Sequence, residues 1–125
     1  MKTRQFRDLL VWQRAMRLAQ SVYEVTQSFP KQEMFGLTGQ MRRAAVSIPS
    51  NIAEGQGRES DRSFALFLSQ AGGSLYELET QLELARNLEM LSDMQTEKLL
   101  SEAAEIGRML HGLRKTLRRE AAPVQ

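Results

Sequence analysis

Basic side chains near both ends of the chain are the residues best suited to chemistry, and that chemistry is phosphate binding. Residues 1–17 carry five Lys or Arg against one acid, and residues 108–125 again carry five against one. Such cations neutralise the phosphates of RNA and DNA and release counterions. The net charge is only +2, so placement matters more than total charge. The predicted phosphate-binding residues are Lys2, Arg4, Arg7, Arg58, Arg114, Lys115, Arg118 and Arg119, with Arg42 and Arg43 as secondary candidates.

A solvated helix end is the alternative explanation for part of this pattern. The C-terminal dipole of a helix favours Lys and Arg, which suits the bases of residues 114–119. It does not account for the bases near the start of the chain, because the N-terminal dipole of a first helix favours acids. Arg42 and Arg43 also have a second possible role, since either could pair with an acid of a neighbouring helix. The acids in question are Glu77 and Glu79.

Catalytic groups are sparse. The chain has no cysteine, which excludes disulfides, zinc-thiolate sites and thiol nucleophiles and is typical of a cytoplasmic protein. The one histidine, His111, lies six residues after Glu105, a spacing that aligns the two poorly on a helix. Glu102 and Glu105 are spaced Glu-x-x-Glu, whereas di-iron bundles use Glu-x-x-His. No serine has a candidate base except the distant His111. We therefore expect no catalysis, no bound metal and no cofactor.

The spacing of apolar residues predicts four helices, over about 9–28, 37–54, 61–88 and 93–118. Each carries apolar residues in alternating steps of four and three, the heptad spacing of helices that pack along one seam. The longest seam is Phe64, Leu68, Ala71, Leu75, Leu78, Leu82 and Ala85. Ser60 predicts an N-cap for the third helix, and Ser92 with Gln95 predicts a capping box for the fourth.

Four helices with short connections can bury their seams only against one another. We therefore expect a single domain over residues 1–125, folded as an all-α, antiparallel up-down-up-down four-helix bundle. In that topology both chain ends and the turn containing Arg58 lie at one pole of the bundle. The basic segments would then converge there. The opposite pole would collect Glu24, Glu33, Glu89, Asp93 and Glu97.

The first helix carries more apolar surface than one seam requires. A second stripe lies beside the seam, so that the apolar arc spans roughly 200° of the helix. The stripe consists of Trp12, Met16, Ala19 and Tyr23. Leu66, Phe67 and Leu84 are further apolar residues off the seam of the third helix. These residues either flank the core or form a subunit contact, and the second interpretation predicts a homo-oligomer.

Glycine and proline mark two unusual segments. Pro49 predicts a kink in the second helix, because proline lacks an N–H and clashes with the preceding turn. We expect Pro49, Asn51, Glu54 and Gly55 to form a structural corner in which the polar side chains bond to local backbone groups, with Gly55 and Gly57 ending the helix. Gly72-Gly73 weakens the third helix, and close approach of the second helix is the expected reason.

Several blocks of sequence together match one family. They are Phe6–Leu9, Val11-Trp12, Phe29-Pro30, Glu33-x-x-Gly36-Leu37, Gln40-x-Arg42-Arg43-Ala44, Ser47–Gly55 and Ser74–Thr80. From about Phe6 to Leu117 the chain resembles the four-helix bundle proteins encoded in bacterial 23S rRNA intervening sequences. The resemblance implies assembly as a homo-pentamer. These proteins are similar in turn to the accessory variability determinant of diversity-generating retroelements, a basic bundle that partners a reverse transcriptase and nucleic acid.

Residues and resemblance together predict a cytoplasmic, homo-oligomeric bundle without catalytic activity. Its expected role is that of a nucleic-acid-binding or ribonucleoprotein accessory factor, with RNA or DNA, and a reverse transcriptase or another protein, as partners. A membrane partner is not expected, because the longest uncharged run contains Ser, Gln and two glycines. The alternative is a protein-protein scaffold with no nucleic-acid role.

Overall fold

The protein is all helical over residues 5–121, which the computed structural model describes. Its α-helices are α1 (Leu10–Thr26), α2 (Leu37–Gln56), α3 (Asp61–Asn87) and α4 (Asp93–Ala121). Short 3₁₀ turns at Phe6–Asp8 and Lys31–Glu33 precede α1 and α2. The observed bounds differ from the predicted ones by three residues at most. Two of the predicted phosphate-binding residues, Lys2 and Arg4, lie outside the described residues.

The helices pack as the predicted four-helix bundle. Helix α2 packs on α1 and α3, and α4 packs on α3 and α1. Contacts across neighbouring helices run in opposite chain order, since Arg42 near the start of α2 bonds to Thr26 at the end of α1. Likewise, Gly55 near the end of α2 packs on Phe67 near the start of α3. This is the order that an antiparallel arrangement requires.

The predicted seams form the core. Of the seven residues named for α3, all but Phe64 are buried, and Phe64 packs against the core as a half-buried residue. The core residues of α4 are buried at the same alternating spacing, at Leu99, Ala103, Ile106 and Leu110. None of the helices between residues 5 and 121 is both long and apolar enough to cross a bilayer.

Side-chain caps begin the two long helices. Ser60 Oγ accepts a hydrogen bond from the backbone N–H of Ser63 at 3.1 Å, which caps α3. At the start of α4, the backbone N–H of Ser92 donates to Gln95 Oε1 and that of Gln95 donates to Ser92 Oγ, both at 3.0 Å. Both predicted caps are confirmed. They satisfy N–H groups that have no partner within a helix, and so they set where each helix begins.

Helix α2 continues through Pro49, which is buried inside it, and ends only at Gln56. Gly57 lies at its C-terminal end, as predicted, but Gly55 lies within the helix. A Cβ on Gly55 would stand 2.6 Å from the Cβ of Phe67, closer than real Cβ contacts. The prediction that Gly55 ends the helix is therefore wrong. Its physical role is to let α3 approach the backbone of α2.

The prediction for Gly72 and Gly73 is also wrong. A Cβ on either would meet no atom within 4 Å, so no neighbouring backbone approaches them. Gly72 instead faces a groove between α3 and α4, and Gly73 is exposed. The close approach that the glycines of α3 were expected to provide occurs at Gly55 of α2.

Candidate nucleic-acid interface

The last turns of α4 carry four cations, called here the α4 cation group: Arg114, Lys115, Arg118 and Arg119. Arg114 is half-buried and the other three are exposed. Within the described part of the chain, none of the four forms an ion pair. The dipole at the C-terminal end of α4 favours cations here, which explains part of their stability but leaves the charges available. Phosphates could therefore reach them without displacing a protein carboxylate.

Arg58 and Arg7, the other described residues at this pole that were predicted to bind phosphate, are held by their own neighbours. Arg58 pairs with Glu54 at 2.9 Å, and its guanidinium lies 4.7 Å from the centre of the Phe67 ring. The Arg7 guanidinium lies 4.6 Å from the centre of the Phe6 ring. Cation–π contacts leave the outer side of a guanidinium free for a phosphate. These two residues can add to the charge of the pole, although Arg58 first shares its charge with a carboxylate.

The same pole also contains acidic residues, which the charge counts over residues 1–17 and 108–125 did not include. Glu59 and Asp61 lie in or next to the short connection between α2 and α3, beside Arg58 and Arg62. Asp61 favours the N-terminus of α3 through the helix dipole. The connection is therefore nearly neutral. The unpaired positive charge of the pole is concentrated on α4.

Arg42 does not belong to the basic surface. Its Nε donates a hydrogen bond to Thr26 Oγ1 at 2.9 Å, and its guanidinium lies 4.6 Å from the centre of the Tyr23 ring. Arg42 therefore joins α2 to α1. The alternative pairing of Arg42 or Arg43 with Glu77 or Glu79 is not seen, because no such ion pair forms between described residues.

An apolar groove of about 560 Å³ runs between α1 and α2. The predicted second stripe of α1 forms one wall: Trp12, Met16, Ala19 and Tyr23 all line it. Val46, Pro49 and Ala53 of α2 form the other wall. Trp12 also stacks edge-on against Phe6, with the ring centres 5.2 Å apart. Pro49, although inside α2 and mostly buried, thus also lines the α1–α2 groove.

The outer face of α3 carries two exposed leucines. Leu66 is 59% exposed and Leu84 is 46% exposed. They lie 18 residues apart, about five helical turns, and therefore on the same face. Phe67, which was predicted to join them, instead packs against Gly55 and beneath Arg58 of its own chain. Because α3 and α1 pack on the same two helices and not on each other, this face and the α1–α2 groove lie on different sides of the bundle.

A second groove, of about 470 Å³, lies between α3 and α4 and was not predicted. Tyr76 and Glu79 of α3, and Arg108, His111 and Arg114 of α4, line it. Burial raises the pKa of the Glu79 carboxyl above its ordinary value of 4.5. The groove runs from the middle of α4 to the first residue of the α4 cation group. In the sequence, Gly72 and the spacing of the bases on α4 were the available signals.

A sequence model of one family matches residues 7–112, most of the chain: the 23S rRNA-intervening sequence protein family. The protein belongs to this family. The resemblance seen in the sequence blocks is thereby confirmed.

The crystal structure of another protein shares the fold. It is a protein with unknown function from the S23 ribosomal protein family of Bacteroides thetaiotaomicron VPI-5482. The two chains superpose with a TM-score of 0.77 at 26% sequence identity, over 85% of this chain and 99% of the other. No curated protein sequence is significantly similar to this chain.

Two of the sequence blocks that carry the family resemblance meet in the bundle. Ser47 Oγ of α2 and Ser74 Oγ of α3 share a hydrogen bond of 2.8 Å. Asn51 Nδ2 donates to the carbonyl of Ser47 at 2.9 Å and to Ser47 Oγ at 3.0 Å. The Ser47–Ser74 bond joins α2 to α3, and Asn51 holds Ser47 in place. The predicted corner, which also contains the Glu54–Arg58 pair, therefore has a structural role.

The described residues bring few catalytic groups together. Arg14 of α1 pairs with Glu105 of α4. Ser47 and Ser74 bond to each other, and no histidine lies in that network. No group of three or more His, Asp or Glu side chains within residues 5–121 could hold a metal ion. Other surface features of the described residues include the α4 cation group, the α1–α2 and α3–α4 grooves, a smaller polar groove between α1 and α4, and the exposed leucines of α3.

Proposed function

We propose that the protein is a non-catalytic, cytoplasmic accessory factor that binds nucleic acid through its phosphates. The observation that carries this proposal is the α4 cation group, whose four charges are unpaired within the described part of the chain. Arg7 and Arg58 at the same pole extend it. Because these cations offer charge rather than a fixed arrangement of hydrogen bonds, binding would be independent of base sequence.

The proposed active form is a closed ring of identical subunits, with five as the number that the family resemblance implies. The α1–α2 groove of one subunit would receive the outer face of α3 of the next, where Leu66 and Leu84 are exposed. Contact between two different surfaces generates rings when the rotation closes. A ring repeats the α4 cation group in each subunit, and repetition converts weak phosphate contacts into avidity.

Membership of the family is consistent with this proposal. Its description refers to sequences that interrupt 23S rRNA, so an RNA is the first ligand to test. A reverse transcriptase or another protein remains a proposed partner on the sequence resemblance alone.

The test is binding of labelled RNA and DNA, measured by fluorescence anisotropy across a range of salt. We expect affinity to fall steeply between about 50 and 200 mM salt, because each neutralised phosphate releases counterions. Replacing Arg114, Lys115, Arg118 and Arg119 together with Gln should weaken binding and flatten the salt dependence. An absence of binding to any nucleic acid at low salt and micromolar protein contradicts the proposal.

A matched pair of double variants separates local charge from total charge. Arg118→Gln with Arg119→Gln removes two cations from the α4 cation group, whereas Lys31→Gln with Lys98→Gln removes two exposed cations at the other pole. The first pair should lower the salt slope by about two, at roughly 0.9 per phosphate contact on duplex DNA. Equal effects of the two pairs would indicate that only net charge matters.

A protein-protein scaffold is the second candidate function. Phe35, in the connection between α1 and α2, is 96% exposed, and Met94 at the start of α4 is exposed as well. Met34, next to Phe35, is 45% exposed, and contiguous exposed apolar surface marks interaction sites. If nucleic acid does not bind, these residues and the α1–α2 groove favour the scaffold.

A further inference from the structure

The groove between α3 and α4 has two chemically different edges. Tyr76, 74% exposed, and Glu79 form the edge on α3. Arg108, His111 and Arg114 form the edge on α4, each three residues after the last and therefore close together on the helix surface. One edge thus offers an aromatic face and a carboxylate, and the other offers cations.

The floor between these edges is held low by small residues. Gly72, Leu75, Ala103 and Gly107 line the groove between the edges, and a Cβ on Gly107 would lie 3.4 Å from Leu75 Cδ2. A Cβ on Gly72 would meet nothing within 4 Å. No packing contact accounts for a glycine inside α3, where it weakens the helix. Gly72 adds no side chain to the wall of the groove.

We propose that this groove binds a strand of single-stranded nucleic acid, with one base stacked on Tyr76 and the adjacent phosphates on Arg108 and Arg114. The proposal rests on the proposed function and names the form of nucleic acid. Stacking on an exposed aromatic ring beside a basic track is the general mode by which proteins hold single strands. In a duplex the faces of the bases are already stacked on each other, so Tyr76 would gain nothing.

The charges orient the strand. The Glu79 carboxylate repels phosphate from the α3 edge and can accept a hydrogen bond from a base amino group. The backbone is therefore directed to the α4 edge. Arg118 follows Arg114 by four residues, so the track continues along one face of α4 into the α4 cation group. At about 470 Å³, the groove lies within the size range of small-ligand sites and can take a nucleotide.

The test compares a labelled RNA of about 12 nucleotides, within the usual site size of single-strand binders, with a duplex of the same sequence. Anisotropy at low salt should show tighter binding of the single strand. Tyr76→Ala should weaken that binding by at least about fivefold, the loss expected for one stacked base. Tyr76→Phe keeps the ring and should bind as the wild type does. Phe35→Ala removes an exposed aromatic outside the groove and should have no effect.

A pair of glycine variants tests the groove itself. Gly72→Leu would fill the floor, whereas Gly112→Leu adds the same side chain at an exposed position on α4 where a Cβ also meets nothing within 4 Å. Only Gly72→Leu should weaken single-strand binding. The mass of each variant is checked by light scattering, and a Tyr76→Ala variant that loses affinity only by dissociating overturns the proposal.

The outcomes separate this inference from the proposed function. If the wild type binds no nucleic acid, both are overturned. If it binds single strands and duplexes equally, or if Tyr76→Ala binds as the wild type does, the groove is not the site. In that case phosphate binding by the α4 cation group still stands.

Discussion

Gly55 of α2 lies against Phe67 of α3 so closely that a Cβ on Gly55 would stand 2.6 Å from the Cβ of Phe67. The same atom would stand 3.0 Å from Cδ1 of Phe64. The Cβ of Phe67 is bonded directly to the backbone, so it can move aside only if the backbone of α3 moves. The distance between α2 and α3 near the basic pole is therefore set by the absence of a side chain at one position.

Gly55→Ala is expected to destabilise the bundle by up to about 2 kcal/mol. Overpacking a well-packed contact usually costs about 1–3 kcal/mol, and the preference of a helix interior for alanine over glycine, about 1 kcal/mol, offsets part of that cost. Urea unfolding measures the change. Gly112→Ala is the matched control, because its Cβ meets nothing within 4 Å, and it should stabilise slightly. Equal stabilisation by both variants would show that α3 moves away freely.

The features of the fold that are local in sequence were predictable. Ser60, Ser92 and Gln95 cap their helices through bonds over three residues, so a short motif is enough to find them. Seam residues such as Leu75 were predictable because burial follows the heptad period.

Features that depend on the fit between helices were not predictable in the same way. Arg42 binds Thr26 rather than an acid of α3, because the rotation of α2 about its axis faces it to α1. The contact of Gly55 with Phe67 and the open space above Gly72 depend on the spacing of the helices. Spacing follows from the sum of many packed side chains, which no single motif encodes.

Asn51→Leu is expected to destabilise the protein by about 1 kcal/mol, the net value of a typical hydrogen bond. Asn51 Nδ2 donates to both oxygens of Ser47, and Ser47 Oγ in turn bonds to Ser74. Thermal unfolding measures the loss. Asn87→Leu, at an exposed position at the end of α3, should change stability by about 0.5 kcal/mol at most. An unchanged melting point for Asn51→Leu would show that the bonds of Asn51 do not stabilise the contact between α2 and α3.

Trp12→Glu and Met16→Glu are expected to dissociate the proposed ring while leaving helical content intact. Both residues line the α1–α2 groove and are half-buried, Trp12 packing against the edge of the core, and a charge in a dry interface is costly. Light scattering at micromolar concentration measures the mass, and circular dichroism measures the helix content. Ser101→Glu, exposed on α4, is the control and should keep the wild-type mass. A monomeric mass for the wild type contradicts the ring itself.

Glu79→Gln is expected to raise the melting temperature near pH 7 and to lose that effect in acid. Burial raises the pKa of the Glu79 carboxyl above 4.5, so the folded state holds this proton more tightly than the unfolded state does. Stability therefore falls as pH rises from below 4.5 through the pKa of the folded state, and an uncharged Gln escapes that loss. Melting curves of both proteins across pH measure the difference. Glu77→Gln, on the exposed face of α3, is the matched control and should change the melting temperature little. If Glu79→Gln and the wild type have the same melting temperature at neutral pH, then the Glu79 carboxylate is as well hydrated in the folded state as in the unfolded state.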